Sequence, residues 1–406
     1  MKEKADSQLI KTINETRLLN LIREKGPISR NELSKLTRIS KVTVSDIVNR
    51  LNRGGYILEI GKGESTKRGG KRPILLKLNA NNGFVVGIQI LRGSITIALA
   101  NLETDIHSLE HLSYNIEAPI SDVITQIFNS IDALLEKHSV NPEKLISIGI
   151  GMPGCIDYDR GVLKYAVTLK EWIDFPISSR FNEKYNVPII IENDINTITL
   201  GELLHGAGRG HSNIACVLIN GGIGVGIIID SKLIRGETSN AGEIGFLEVG
   251  NHIADVSRLK NLYHNQKYFG EILSEVNLHT VLEMKLQLDP EMSGKDTAAY
   301  SLEELLALGD DGNKFIREVL DEYAYLLAIV YMNLNSLINP SQIILSGQII
   351  ENSIYLHNKI KQMIRQSMVN NPFEPSSVVV GELGSMAGVK GAISLALQTL
   401  FKLPKV

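Results

Sequence analysis

The chain has 406 residues, 43% of them apolar and 21% charged, with a formal net charge of −3, a globular composition long enough for two or three domains. A stretch of about eighteen apolar residues, as a membrane span needs, is nowhere in it, and two cysteines, Cys155 and Cys216, build neither a disulfide framework nor a cysteine-rich zinc site. The charged start Met1-Lys2-Glu3-Lys4 leads into no signal core, so the expected compartment is the cytoplasm, with no membrane partner. Net charge hides an asymmetry: residues 1–79 hold 18 Lys+Arg against 8 Asp+Glu, and the rest 24 against 37. A basic head on an acidic body suits a chain whose head alone meets a polyanion. Charge by itself leaves a basic, solvated end equally open.

In chain order, Ile10, Ile13, Leu18, Leu21 and Ile22 form a rough helical stripe that Gly26-Pro27 stops. Ser29-Arg30-Asn31-Glu32 has the form of a capping box, in which Ser29 accepts from the Glu32 backbone while Glu32 reaches back. It starts a short helix carrying Leu33 and Leu36. After a tight turn through Arg38-Ile39, Ser40 caps a third helix that buries Val44, Ile47, Val48 and Leu51 and ends at Gly54-Gly55. Helix, short helix, turn, longer helix is the helix-turn-helix plan. The third helix offers Lys41, Thr43, Ser45, Asn49 and Arg50, donors that reach phosphates and base edges in a major groove. Tyr56–Ile60 and Ile74–Leu78 read as strands flanking a loop with Lys67, Arg68, Lys71 and Arg72 among glycines. Such a loop can press on the phosphate backbone or enter a minor groove as a wing; a flexible linker is the bland alternative.

From Gly83 onward short apolar runs alternate with helical patterns, as in α/β proteins. The expected strands are Phe84–Ile90, Ser94–Ala100, Leu145–Ile150, Pro188–Glu192, Ile214–Ile219, Gly226–Ile229, Ile343–Ser346 and Val378–Val380. One expected helix passes through Ile124 and Ile131, and a long one runs from Phe315 towards Leu337. Four strand ends carry glycine turns or polar clusters: 149–154, Glu192-Asn193-Asp194, 220–224 and 384–388. Ligands of open α/β sheets sit at the carboxyl ends of strands, so a pocket is expected there.

The runs Gly-Ile-Gly-Met-Pro-Gly-Cys-Ile-Asp (149–157), Ile-Glu-Asn-Asp-Ile-Asn (191–196) and Gly222-Ile223-Gly224-Val225-Gly226 resemble the ROK family of repressors, open reading frames and kinases. So do Arg235-Gly236 and Ala241-Gly242-Glu243-Ile244-Gly245, while Ser29-Arg30, the Ser40–Leu51 helix and Gly69–Pro73 resemble its repressor branch. The resemblance implies a winged helix-turn-helix over 1–79 and an actin-like, sugar-kinase-like domain of two α/β lobes over 80–406, with its cleft near 190–245. It adds Ser29 and Arg30 to the expected DNA contacts and implies a homodimer or tetramer. In the family's kinases the base is the aspartate of the Glu-Asn-Asp block, here Asp194; an ordinary helix cap reads the same way. Their Asp-x-Gly-Gly-Thr phosphate cradle is Gln89-Ile90-Leu91-Arg92-Gly93 here, and Gly221 stands where a second phosphate turn has threonine. Two altered phosphate loops argue for lost kinase activity, with no catalytic residue and no cofactor. Gly154, Asn193, Asp194 and Glu243 are the implied ligand set for a sugar or sugar phosphate; Glu243 capping a helix or pairing with an arginine is the alternative. Phe246 replaces the family's zinc-binding histidine and no cysteine follows over 247–275, so no metal is expected. The reading is a repressor of carbohydrate-utilisation genes that binds palindromic double-stranded operator DNA under control of that ligand. Its rivals are a bifunctional sugar kinase with a DNA-binding domain and a scaffold with a vestigial pocket.

Overall fold

A computed structural model describes residues 2–63, 72–248, 259–264, 266–292, 300–368 and 374–401, with backbone alone for 2–7. The head comprises α1 (Lys2–Lys25), β1 (Ile28–Ser29), α2 (Arg30–Thr37), α3 (Lys41–Arg53), β2 (Ile57–Lys62) and β3 (Ile74–Leu78). Its strands form one sheet in the order β1-β3-β2. Both expected caps are present: Ser29 and Glu32 complete the capping box of α2, and Ser40 accepts from the Thr43 backbone at the start of α3. Val44, Ile47, Val48 and Leu51 are buried on the expected face of α3. The stripe on α1 is shorter than its spacing suggests. Leu18, Leu19 and Ile22 carry the packing, whereas Ile10 is exposed because α1 extends beyond the elements it covers.

The body holds β4 (Phe84–Leu91), β5 (Ser94–Asn101), β6 (Ile106–Ser113), α4 (Ile120–Lys137), β7 (Leu145–Met152), β8 (Cys155–Asp157), β9 (Val162–Tyr165), α5 (Ile177–Tyr185), β10 (Ile189–Asn193) and α6 (Asp194–His205). It continues with β11 (Ile214–Ile219), β12 (Ile223–Ile229), β13 (Lys232–Ile234), α7 (Phe269–Ile272), α8 (Glu275–Leu286), α9 (Leu302–Asp310), α10 (Lys314–Leu337), β14 (Gln342–Ser346), α11 (Gln348–Glu351), α12 (Ile354–Met368), β15 (Ser377–Val380) and α13 (Ala387–Phe401). Two five-stranded sheets result, β10-β7-β4-β5-β6 and β13-β12-β11-β14-β15. Each pairs some neighbours in parallel and some antiparallel, the mixed sheet of an α/β lobe. Strands β6, β8, β9 and β13 escape a sequence reading. β6 runs His107, Ser108, Glu110, His111 on an edge with no buried residue, so it carries no apolar run; the others span three or four residues.

Between the sheets lie α6 and α13. α13 packs on β4 and β7, α6 packs on β11 and β12, and the two helices pack on each other. Their backbones approach closely: a Cβ on Gly391 would stand 1.7 Å from the Thr197 carbonyl oxygen, and one on Gly201 would stand 2.2 Å from that of Ala387. The other side of α13 reaches the head. Leu18, Leu19 and Ile22 of α1 share one buried cluster with Val389, Ile393, Ala396, Leu397 and Phe401, and with Val85 and Ala98 of the first sheet. Asn20 donates to the Phe401 carbonyl at 2.8 Å, and the Arg23 guanidinium stacks 4.0 Å from the Phe401 ring centre. An apolar core therefore crosses the 79/80 boundary, and head and body are packed rather than strung together.

Candidate nucleic-acid interface and ligand cleft

The interface begins with what α3 does not bury. Lys41, Thr43 and Asn49 are exposed and Ser45 is half-buried. Thr43 lies beside its cap, its Oγ1 2.8 Å from Ser40 Oγ. Arg30 stands at the front of α2, donating to Asn49 Oδ1 at 3.3 Å and to Glu59 at 2.9 Å. Arg30 and Asn49 thus form one surface, tethered by β2. Two expected contacts are placed elsewhere. Ser29 is 3% exposed and its hydroxyl belongs to the capping box, donating to Glu32 at 2.7 Å, so it has no side-chain group to offer DNA. Arg50 points back to α1 and pairs with Glu15 at 3.3 Å, because it lies a little over a quarter of a turn round from Asn49. On the wing, Arg72 is exposed; Lys67, Arg68 and Lys71 lie outside the described residues.

The cleft is built where β10 ends and α6 starts. Asn193 is the N-cap of α6: its Oδ1 accepts from the Ile195 and Asn196 backbones at 3.0 and 3.3 Å. Its Nδ2 donates to the Gly154 carbonyl at 2.9 Å, which pins the loop after β7. Gly154 has φ +111° and faces the Tyr165 carbonyl at 2.3 Å from where a Cβ would be, so no side chain fits there. Most of the hydrogen-bonding capacity of Asn193 is therefore spent on structure. Asp194, the first residue of α6, is partly open to the cleft and accepts from the Ile195 backbone at 2.9 Å. Burial pushes its carboxyl up to about 6, against the pull of that backbone hydrogen bond, and the charge of Glu243 adds to the rise. Glu243 arrives from the second lobe, after Gly242 (φ +89°), whose carbonyl accepts from Val225 of β12 at 2.9 Å. It heads a short 3₁₀ turn over Ile244–Phe246 without capping it, and burial raises its carboxyl too. One carboxylate from each lobe is an arrangement suited to accepting several hydroxyl donors at once.

A second acid, missed by sequence reasoning, braces the first. Glu192 is fully buried and accepts from Arg235 Nε and Nη2 at 2.7 and 2.6 Å, from Asn196 Nδ2 at 2.9 Å and from the Asn193 backbone at 3.0 Å. The Tyr158 hydroxyl also donates to it; burial, with the Glu192 charge behind it, holds that phenol well above its ordinary range and so protonated. Arg235 follows β13 and Glu192 lies in β10, so this pair, its acid buried and its arginine partly exposed, ties the two lobes next to Asp194. Residues 43 apart in sequence signal such a pair only through an arginine and a glutamate that both flank glycine or polar turns, which is too little to match them.

The nucleotide side differs. Ile90 is wholly buried in the first-lobe core, and Leu91 pairs with Ser94 across the two-residue turn Arg92-Gly93. Gln89 lies against Gly388, where a Cβ would come within 2.2 Å of its amide. The two cradle glycines are thus replaced by Leu91 and Arg92 at a tight hairpin whose one glycine is Gly93, and the residues do not fit a nucleotide. The zinc of the family's kinases does not fit either. Phe246, 54% exposed, stacks edge-on against Tyr268 at 6.1 Å, and neither ring is a metal donor. His264 is exposed, and His252 lies outside the described residues. Among the described residues, no helix is long and apolar enough to cross a membrane.

Residues 85–399 match the ROK family, and residues 12–68 match the MarR family. The xylose repressor of Bacillus subtilis strain 168 is 31% identical over 395 residues, 97% of each chain. The solved structure of a ROK family transcriptional regulator, a homologue of the Escherichia coli Mlc protein, superimposes with a TM-score of 0.79 at 23% identity, covering 97% of each chain. A ROK family glucokinase from Streptomyces griseus, solved with glucose and AMPPNP, gives a TM-score of 0.65 at 24% identity, with all of its chain covered but 78% of this one. The chain has an N-terminal helix-turn-helix joined to an actin-like sugar-kinase fold, and it belongs to the ROK family.

Proposed function

We propose that this chain is a sugar-responsive DNA-binding repressor, in which the kinase-like body senses a ligand and does not phosphorylate it. The observation that carries the reading is the contrast within one cleft: carboxyls raised by burial at Asp194 and Glu243, beside a phosphate strand whose two cradle glycines are Leu91 and Arg92 at a tight hairpin. A relative that matches it over 97% of its length is named a repressor, whereas the glucokinase leaves about a fifth of the chain uncovered, a share the size of the helix-turn-helix. Lys41, Thr43, Ser45, Asn49, Arg30 and the wing basic residues Lys67, Arg68, Lys71 and Arg72 contact the duplex. Two such heads in a homodimer meet a palindromic operator near carbohydrate-utilisation genes.

The ligand is a sugar held by Asp194 and Glu243, with one amide hydrogen of Asn193 and the backbone at Gly154. Xylose is the first candidate, on the strength of the full-length relative's name. The route from cleft to DNA is short: Asp194 begins α6, α6 crosses α13, and α13 shares its core with α1. Sugar that favours one lobe arrangement by about 1–3 kcal/mol shifts α13 against α1 and changes the separation of the paired heads. Selection of bound fragments from the source genome, followed by thermal-shift measurement with xylose, glucose and their phosphates, tests both halves. Enrichment of sites beside sugar genes and a raised melting temperature with one sugar are expected; random fragments and no shift would remove the reading.

A further inference from the structure

The outward face of α3 carries an apolar residue that its polar surroundings do not explain. Val42 is 73% exposed at the second position of α3, between exposed Lys41 and Thr43. Among the described residues of α3, the remaining apolar side chains, Val44, Ile47, Val48 and Leu51, are all buried in the head. Val42 therefore contributes nothing to that core. As a branched residue it also favours the helix less than alanine would.

Its neighbours on the same stripe say what it faces. Asp46 and Asn49 follow at i+4 and i+7, both exposed, so the three share one side of the helix. An exposed carboxylate one turn from Val42 is repelled by phosphates, and this stripe consequently lies over base edges and not over the backbone. The cations flank it: Lys41 precedes it and Arg30 reaches Asn49 from α2 at 3.3 Å. In the major groove, one base presents an apolar group, the C5-methyl of thymine. The first turn of the third helix is the part of this motif that reaches base edges. We infer that Val42 is a specificity-determining residue, packing its methyls on the C5-methyl of a thymine in each operator half-site. The inference rests on the DNA-binding reading above and deepens it by naming a base.

The test replaces thymine by deoxyuridine, one position at a time, in a duplex selected by the full-length chain, because that exchange removes the methyl and nothing else. Fluorescence anisotropy is read for the wild type and for Val42→Ala. One thymine per half-site is expected to lose about fourfold in affinity for the wild type, the effect of a single methyl leaving contact. Val42→Ala binds the thymine duplex that much more weakly and is indifferent to deoxyuridine at that position. Sequence-specific binding in which no thymine position responds, or in which Val42→Ala keeps the wild-type sensitivity, overturns the assignment while leaving the DNA-binding reading intact. A chain that binds no duplex at low ionic strength removes both.

Discussion

The two sides of the cleft have been treated in opposite ways. On the ligand side, costly features are kept: a carboxyl raised to about 6 at Asp194, a fully buried Glu192, and glycine at 154 and 242 where no Cβ fits. On the nucleotide side, the two positions that would need glycines hold Leu91 and Arg92, and the strand closes in a two-residue turn. Buried polar groups and strained glycines are costly to keep without a use, and the proposed ligand side keeps them while the other side has ordinary core residues. A kinase fold thereby becomes a detector without changing its architecture.

The largest test of that contrast reopens the closed side. Restoring both cradle glycines, Leu91→Gly with Arg92→Gly, is expected to yield no ADP from ATP and sugar, because Gln89 still stands where the family's kinases have aspartate. ATP turnover in this variant would show the nucleotide side to be latent. Next comes the brace beside Asp194. Arg235→Met leaves Glu192 buried without its cation and is expected to cost about 3 kcal/mol; adding Glu192→Gln should recover part of the loss, a coupling that a double-mutant cycle measures. If the single and double variants lose stability additively, the pair is not a unit.

On the ligand side itself, Asp194→Asn is expected to lower xylose affinity about 10- to 100-fold by calorimetry, the scale of a hydrogen bond to a charged group, with sugar-free DNA affinity unchanged. The smallest effect is in pH. A carboxyl whose pKa rises on folding holds its proton more tightly in the folded chain. Its contribution to stability is full below its ordinary value of 3.8 and is lost as pH climbs through about 6. Asp194→Asn should therefore gain stability relative to the wild type as pH rises from 4 to 7. Ligand hydroxyls donate to the ionised form, so wild-type sugar affinity should fall as pH drops below about 6, and the variant's should not. Parallel stability curves for the two chains would show that Asp194 is not held as described.

What could be read from sequence divides along the same line. The helix caps at Ser29 and Ser40 and the buried set Val44, Ile47, Val48 and Leu51 were legible, because capping and helical phase act over a few residues. Phase also decides which side a residue faces. Arg50 reads as a donor on the exposed face of α3, yet its angle round the helix turns it to Glu15. Strand β6 stayed invisible because an edge strand needs no apolar run. The ligand set came from resemblance and not from spacing. Nothing local says that the charge of Glu243 bears on Asp194, or that Arg235 reaches Glu192, since both exist once two lobes have closed on α6 and α13. The core shared by α1 and α13 is likewise a long-range product, joining residues near both ends of the chain.

The most direct measurement follows the wild-type chain on its selected operator by anisotropy while xylose is added, with and without ATP, and assays the same samples for sugar phosphate. Release of DNA by sugar alone, unchanged by ATP and with no phosphorylated product, is the predicted result. Release that requires ATP, or a sugar phosphate whose formation Asp194→Asn abolishes, would contradict it.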